Sequence, residues 1–362
     1  MLRKLGFEIT KREKIHPLVQ ILAVLAGLLL AFLISGWIMS MTGNDPIESF
    51  KVMFRGAFGE KRKILNTLMR STPLMLAALA TVIAFKAEIW SIGQEGQIFA
   101  GAMMSFAVYR MIDTVGLSRP LLLTIVILAG VLGGALLGGL AGWLRTRFNV
   151  DIIISTVLLN YIITTMLLFL LYDHKYWMGA NNYYPRSDII SKEYWFPILG
   201  DTGRLHMGFI IAVVVAIAVY WLIKRTPYGY DLRALGANPT ATQFKGINVK
   251  RLTLITMLVS GGLAGLAGSI ELFGVHHNVN MDLSPGYGYT GIIVALLVEL
   301  NPILVIFAAI FFGGLINGSV TMITSTGVHT SVTYVIQAMV LISVLVCRAL
   351  VNYRIRRIQH VE

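Results

Sequence analysis

The stretch PLLLTIVILAGVLGGALLGGLAGWL, from Pro120 to Leu144, contains no charged side chain. A helix of roughly twenty apolar residues crosses the hydrocarbon core of a bilayer, so this stretch predicts a transmembrane helix. Glycines recur along it every four residues, at Gly130, Gly134, Gly138 and Gly142. Residues at that spacing share one face of a helix, and a stripe of small residues lets a second helix approach closely. We interpret the stripe as a packing surface and not as a substrate site.

The whole chain has the same apolar character. Its 362 residues are 56% hydrophobic and only 13% charged, with a mean hydropathy of +0.73, whereas soluble domains contain about 25% charged residues. About ten stretches are long enough to span a bilayer, at 18–39, 64–85, 89–110, 119–144, 152–172, 207–223, 252–274, 287–300, 302–318 and 330–350. The eighth is short enough to be a half-helix, which leaves eight or nine spans possible. Because the stretches lack the alternation of barrel strands, we predict an all-α, polytopic membrane helical bundle.

The distribution of charge predicts the domain organisation. A basic segment at 1–17 precedes a transmembrane domain at 18–350, and a basic tail follows at 351–362. Lys and Arg gather in cytoplasmic loops, so we expect both termini and the basic loop 224–251 inside, and the loop 173–206 outside. The basic loop 43–63 disagrees, unless its amphipathic stretch PIESFKVMFRGAF lies along the interface. Anionic lipid explains the net charge of +12, so no nucleic-acid partner is expected.

The loop 224–251 contains the signals of a short helix. Asn238 is a typical N-cap, Pro239 suits the first helical position, and Gly246 is a typical stop. Ala241 and Phe244, three residues apart, would form one apolar ridge. A helix of about seven residues is not stable alone. We therefore expect the ridge to dock into a soluble partner, with packing against the chain's own membrane domain as the alternative.

Three stretches resemble a known family, and one of them is the stretch that contains Gly286, Gly288, Gly291, Asn301 and Pro302. The stretch YGYDLRALGANPTATQFKGI, Tyr228 to Ile247, is similar to the coupling loop of permease subunits of ABC importers in the branched-chain amino acid, ribose and nucleoside group. The stretch SIGQEGQ, Ser91 to Gln97, resembles the "NIGAEGQ" element of the same group, although serine replaces its first asparagine. The resemblance implies that the 236–246 helix couples transport to a separate ATPase. The residues that it implicates are Arg233, Gly236, Asn238, Pro239, Ala241, Phe244 and Gly246.

Within this group the chain most closely resembles the permeases that import nucleosides with a basic-membrane-lipoprotein binding protein. The resemblance implies three protein partners in a bacterial cell membrane: a cytoplasmic ATPase, a second permease expected to be different and shorter, and an extracytoplasmic substrate-binding lipoprotein. It also implies that ATP and Mg are used by the ATPase. The chain has no Gly-Lys dipeptide and hence no Walker A loop, so we expect it to bind no cofactor and to be no enzyme.

Two other readings remain open. The same importer architecture could carry ribose, another simple sugar or branched-chain amino acids. A transporter of another class, an ion-coupled secondary transporter, would make Glu95 a proton or sodium site. Against it stand the few acids within the spans and the capped helix in the loop 224–251.

Ser284 to Pro302, SPGYGYTGIIVALLVELNP, matches a dinucleotide-binding turn through Gly286, Gly288 and Gly291. That motif requires a buried strand before it, whereas the preceding HHNVNMDLSP is polar. We interpret the glycines as the opening of a broken or closely packed membrane helix. Ser91 to Gly96 has a similar spacing, and each segment is followed by a proline and a glycine pair. This internal similarity between the two segments predicts inverted repeats. The glycine-interrupted segments of such repeats tend to line a transport pathway.

Several polar residues in these segments are candidates for the pathway. A carboxylate at membrane depth is costly, which makes Glu95 a functional candidate, and Thr156 and Asn160 share a helical face. Hydrogen bonds between helices are an equally good interpretation of Glu95 and Asn160. The two tyrosines could stack on a base or belong to an interfacial belt. The candidates are Ser91, Gln94, Glu95, Gln97, Thr156, Asn160, Tyr287 and Tyr289.

Overall fold

The computed structural model describes residues 7–11, 16–113, 118–180, 183–200 and 203–357. Most of them are helical. Thirteen α-helices lie in this part of the chain: α1 Pro17–Met41, α2 Pro46–Phe58, α3 Lys61–Lys86, α4 Gln94–Ile112, α5 Arg119–Phe148, α6 Ile152–Tyr172, α7 Gly208–Arg225, α8 Pro227–Ala237, α9 Pro239–Phe244, α10 Val249–Glu271, α11 Tyr287–Leu297, α12 Pro302–Thr326 and α13 Ser331–Asn352. Two short strands, β1 Phe7–Lys11 and β2 Tyr353–Arg357, complete the architecture.

Eight of the described helices are long and apolar enough to cross a membrane: α1, α3, α5, α6, α7, α10 with its extension to His276, α12 and α13. The predicted all-α membrane bundle is confirmed, whereas the count of ten spans is not. The other two predicted spans correspond to α4 and α11. The predicted span 89–110 corresponds to α4. This helix begins at Gln94 and not at 89, because residues 87–93 are not helical. α11 has 11 residues, about half of what a full crossing needs, as its short apolar stretch suggested.

The chain divides into two compact units, and the larger comprises Glu60–Gly314. At its centre α3 is buried from Ser71 to Phe85. α5 packs on α10 through the predicted glycine stripe. A Cβ on Gly134 would collide with the carbonyl oxygen of Gly261, and one on Gly138 would collide with that of Met257. The stripe is therefore a packing surface, as the spacing predicted, and it brings two helix backbones together.

The smaller unit comprises Met1–Gly59 and Leu315–Glu362. In it α1 packs against α13, where Gly27 lies against the backbone of Val344. The amphipathic stretch PIESFKVMFRGAF is α2, capped by the Asp45 carboxylate. The terminal segments are not wholly irregular, because β1 and β2 pair antiparallel with Phe7 opposite Arg357. The sequence analysis did not predict this ribbon, and it holds the two terminal segments side by side.

The described part of the predicted outer loop 173–206 packs on the segment that directly follows α10. The Ile190 amide donates to the His277 carbonyl at 2.8 Å, and the Phe196 amide donates to the Phe273 carbonyl at 3.0 Å. The Trp195 ring stacks on the His277 ring with centroids 3.7 Å apart. Burial lowers the pKa of His206 to about 4, so this histidine is neutral at physiological pH. The loop is thus a packed cap on the helix end.

Candidate functional site

Two broken helices meet inside the larger unit. α3 ends at Lys86, and α4 begins only after Gly93, where Glu88 has already turned the chain with a φ of 56°. α11 begins after Pro285 and Gly286, and the φ of 87° at Gly286 favours glycine. A Cβ on Gly288 would overlap the backbone of Glu95, so the first turns of α4 and α11 are in contact. Gly288 is therefore required by close approach, and not by a bound dinucleotide.

The Glu95 carboxylate is the main link between the two breaks. One oxygen accepts from the Gly288 amide at 2.7 Å, and the other accepts from the Gly286 amide at 3.1 Å. Amides at a helix N-terminus have no partner within the helix, and a negative charge there is favourable. Glu95 is buried and caps α11 from a different helix. Of the two interpretations of Glu95, the structure supports the hydrogen bond between helices.

Asn160 and Thr156 hold the start of α4 from α6. The Asn160 Oδ1 accepts from the Gly96 amide at 2.9 Å, and its Nδ2 donates to the Ile92 carbonyl at 2.8 Å. The Thr156 hydroxyl accepts from the Ile92 amide at 3.2 Å. The two side chains share a face, as their spacing predicted. Their hydrogen bonds supply partners for backbone groups that the break in the helix releases.

The remaining candidates differ in what they contact. Ser91 is fully buried, and its hydroxyl accepts from the Gly93 amide at 3.4 Å. Tyr287 is only 4% exposed, so it is not a residue of an interfacial belt. Tyr289 is 42% exposed, and its hydroxyl accepts from Asn160 Nδ2 at 3.3 Å. The structure therefore brings Ser91, Glu95, Thr156, Asn160 and both tyrosines to one junction.

Gln94 and Gln97 also lie at this junction, fully or almost fully buried. Both polar atoms of the Gln94 amide and the Oε1 of Gln97 have no hydrogen-bond partner among the described residues. A buried polar group without a partner costs about 1–3 kcal/mol. The two amides are thus the pathway candidates whose hydrogen-bonding capacity remains unused.

Two charged residues that the sequence analysis did not select lie near the same junction. Glu271 of α10 is 2% exposed. Arg70 of α3 interacts electrostatically with Glu271 and with the Tyr287 hydroxyl. Both charges interrupt apolar stretches, TLMRSTPLML and LAGSIELFG. The rule that a charge within a span marks a functional candidate could therefore have found them.

The predicted coupling helix is α9. The Asn238 Oδ1 accepts from the Ala241 amide at 3.0 Å, Pro239 is the first helical residue, and Gly246 has a φ of 81°. The helix has six residues, one fewer than expected. A separate helix that the sequence analysis did not predict, α8, precedes it, and Gly236 near its end packs on the Lys86 carbonyl. The local signals therefore located the cap and the stop correctly.

The ridge on α9 faces away from the rest of the chain. Ala241 is exposed and Phe244 is 88% exposed, whereas Thr242 on the same helix is buried. The alternative that the ridge packs on this chain's own membrane domain is wrong for the part of the chain that is described. Arg233 is also exposed. The Lys245 ammonium donates to the Tyr230 hydroxyl at 2.9 Å, and this bond raises the pKa of Lys245.

A cavity of about 510 Å³ lies beside α9. It is bounded by Pro239, by the start of α10 and by the connections that follow α3 and α5. Its lining includes three cations, Arg145, Arg147 and Lys250, and two carboxylates, Glu88 and Asp151. Charged groups beside the helix that carries the exposed ridge suit a soluble protein better than lipid.

Replacing Glu95 tests the link between the breaks. Glu95→Gln would leave one of the two α11 amides facing an NH₂ group, so we expect uptake to fall by about tenfold. Ser105→Ala, elsewhere on α4, removes a buried hydroxyl that contacts Ser269 and is the matched control. Initial uptake rates at equal membrane abundance give the result. Unchanged rates for Glu95→Gln at all external pH values would show that the carboxylate is replaceable packing.

Comparisons with known proteins identify the family of the chain. Residues 63–345 match the family described as "Branched-chain amino acid transport system / permease component". The nucleoside ABC transporter permease protein NupB of Lactococcus lactis is 31% identical, over 89% of this chain and 90% of its own. The guanosine permease NupP of Bacillus subtilis is 30% identical over 91% and 93%. The glucose permease TsgB13 of Haloferax volcanii is 28% identical over 94% and 89%. No solved structure shows a significant match.

Proposed function

The chain belongs to the family of branched-chain amino acid transport permease components, and we propose that it forms the translocation pathway of an ABC importer for nucleosides. In this family ATP hydrolysis takes place on a separate ATPase subunit, so the chain is the membrane component and not an enzyme. It is a multi-pass protein of the cell membrane. The observation that carries the proposal is the exposed, capped helix α9.

The contacts of α9 support a role in coupling. The Asn238 cap and the buried Thr242 fix the helix on the membrane domain, while Ala241 and Phe244 remain exposed. Gly236 of α8, the helix directly before α9, packs on the end of α3, and α3 is continuous with the break before α4. Movement of α9 by a closing ATPase would therefore be transmitted to the junction of α4 and α11. Arg233 and the cations of the adjacent cavity would contribute charged contacts to the same partner.

Nucleosides are the substrate class that the comparisons favour. NupB and NupP, whose names specify nucleosides and guanosine, align over most of the chain. The junction contributes uncharged donors and acceptors from Gln94 and Gln97, and a half-exposed aromatic ring, Tyr289. These groups suit base edges, ribose hydroxyls and stacking on a base. TsgB13, named as a glucose permease, favours a simple sugar as the second candidate.

The proposal includes the other components of the importer. ATP and Mg would bind to the cytoplasmic ATPase and not to this chain. A second, different and shorter permease would complete the pathway, and a substrate-binding lipoprotein would deliver the nucleoside from outside. The termini, held together by β1 and β2, would lie on the cytoplasmic side with α9. The packed loop 173–206 would then face the binding protein.

Uptake of labelled uridine and adenosine tests this function. Cells lacking the gene and complemented cells are compared, with excess unlabelled ribose, glucose or leucine as competitors and with either ATP or the ion gradients collapsed. We expect gene-dependent and ATP-dependent uptake that the competitors do not reduce. Competition by a sugar or by leucine would assign that substrate instead. Loss of uptake when only the gradients collapse would identify a secondary transporter.

A further inference from the structure

The beginning of α4 holds two buried amides that lack hydrogen-bond partners for part of their polar atoms. Gln94 and Gln97 together leave three buried side-chain atoms without a partner, although Glu95 between them has both oxygens bonded to the start of α11. Asn160 and Thr156 are likewise engaged with backbone groups. Buried polar groups are nearly always paired, so an unpaired group needs an explanation. Gln94 and Gln97 lie in the same turn of α4, so we look for one explanation for the unpaired atoms of both.

Both amides lie at the start of α4. Its N-cap is Gly93, which has no side chain to cap the helix, and Asn160 of α6 bonds the Gly96 amide instead. A Cβ on Gly93 would lie 3.1 Å from the Gln97 Nε2, so the Gln97 amide folds back beside the cap. Gln94 is the first residue of the same helix and meets the backbone of Gly288. Substrates of transporters bind where broken helices expose such N-termini near the membrane midplane.

We infer that Gln94 and Gln97 are specificity-determining residues that hydrogen-bond the base edge of the transported nucleoside. This inference rests on the proposed function. A primary amide presents a donor beside an acceptor, which matches the paired donor and acceptor on the edge of a nucleobase. Both amides are buried here, so base recognition requires the first turns of α4 and α11 to part.

The test measures KM and Vmax of uptake for uridine and adenosine in cells that express the complete importer. Gln94→Met and Gln97→Met keep the length of the side chain and remove its polar atoms. We expect each to raise KM by about tenfold and to change the ratio of the two KM values, with Vmax within about twofold of the wild type. Ser105→Ala, a buried polar change on the same helix, is the control and should leave the ratio unchanged.

A purely structural role gives a different result. In that case both nucleosides lose Vmax equally, the KM ratio stays as in the wild type, and the thermal midpoint of the purified protein changes. That outcome would overturn the inference while wild-type uptake still supports the proposed function. Absence of nucleoside uptake in the wild type would overturn the proposed function and this inference with it. A changed KM ratio with an unchanged thermal midpoint would support the inference.

Discussion

Placing a negative charge on the exposed ridge of α9 is expected to uncouple transport. Ala241→Glu puts a carboxylate beside Phe244 on an exposed ridge. If the ridge inserts into a groove of the ATPase, the charge must be desolvated there without a partner. We expect uptake to fall by at least about tenfold, which corresponds to about 1.4 kcal/mol of coupling free energy. Phe244→Ala should reduce uptake in the same direction.

The matched control is Gln243→Glu. It adds the same charge to the same helix, on a side away from the ridge, at a residue that is also exposed. Its uptake should remain near that of the wild type, and all variants should reach the membrane in equal amounts. Co-purification of the ATPase with each variant separates lost docking from lost transport. Normal uptake in both Ala241→Glu and Phe244→Ala would refute the coupling role of α9.

The second large effect is expected at Gly134. Even the single methyl group of Gly134→Ala would collide with the Gly261 carbonyl, which belongs to the backbone of α10 and cannot rotate away. α5 and α10 would have to separate along their whole contact. Overpacking of this kind costs about 1–3 kcal/mol or more. We expect a lower thermal midpoint in detergent and a smaller fraction of correctly inserted protein.

Gly142→Ala is the control for this prediction, because it lies on the same stripe of the same helix. Its Cβ would first meet the Met257 side chain, at 3.0 Å. The nearest atom is the Met257 Cβ, which is fixed to the backbone, but the overlap is smaller than that of a Gly134 Cβ with the Gly261 carbonyl. The thermal midpoint should therefore fall less than for Gly134→Ala. Equal midpoints for Gly134→Ala and Gly142→Ala would contradict close backbone packing at Gly134.

Local signals were sufficient for much of the fold. A helix that crosses lipid must satisfy its backbone hydrogen bonds within itself, so the spans could be recognised from the length and apolarity of single stretches. The cap and stop of α9 could also be predicted, because they too depend on residues that are close together in the sequence. The Asn238 side chain bonds the Ala241 amide three residues away, and Gly246 adopts a positive φ by itself. Family resemblance added the assignment of this helix to coupling.

Other features could not be predicted, because they join distant parts of the chain. The β1–β2 ribbon pairs residues near opposite termini, and nothing local specifies that pairing. Arg70 and Glu271 could have been flagged as charges within spans, but not as neighbours of Tyr287. The start of α4 at Gln94 depends on Thr156 and Asn160, which bond the backbone of Ile92 and Gly96 from another helix.

The sequence by itself determined that this is a polytopic helical membrane protein with a capped helix in one loop, because those features depend on residues within one helix length. Only the tertiary structure decided which polar candidates are engaged and which are free. Glu95 caps amides that lie more than 190 residues away, Tyr287 is buried, and Gln94 and Gln97 keep unpaired atoms. The physical reason is that a hydrogen bond depends on distance and angle between atoms, and spacing along the chain does not fix either across a fold.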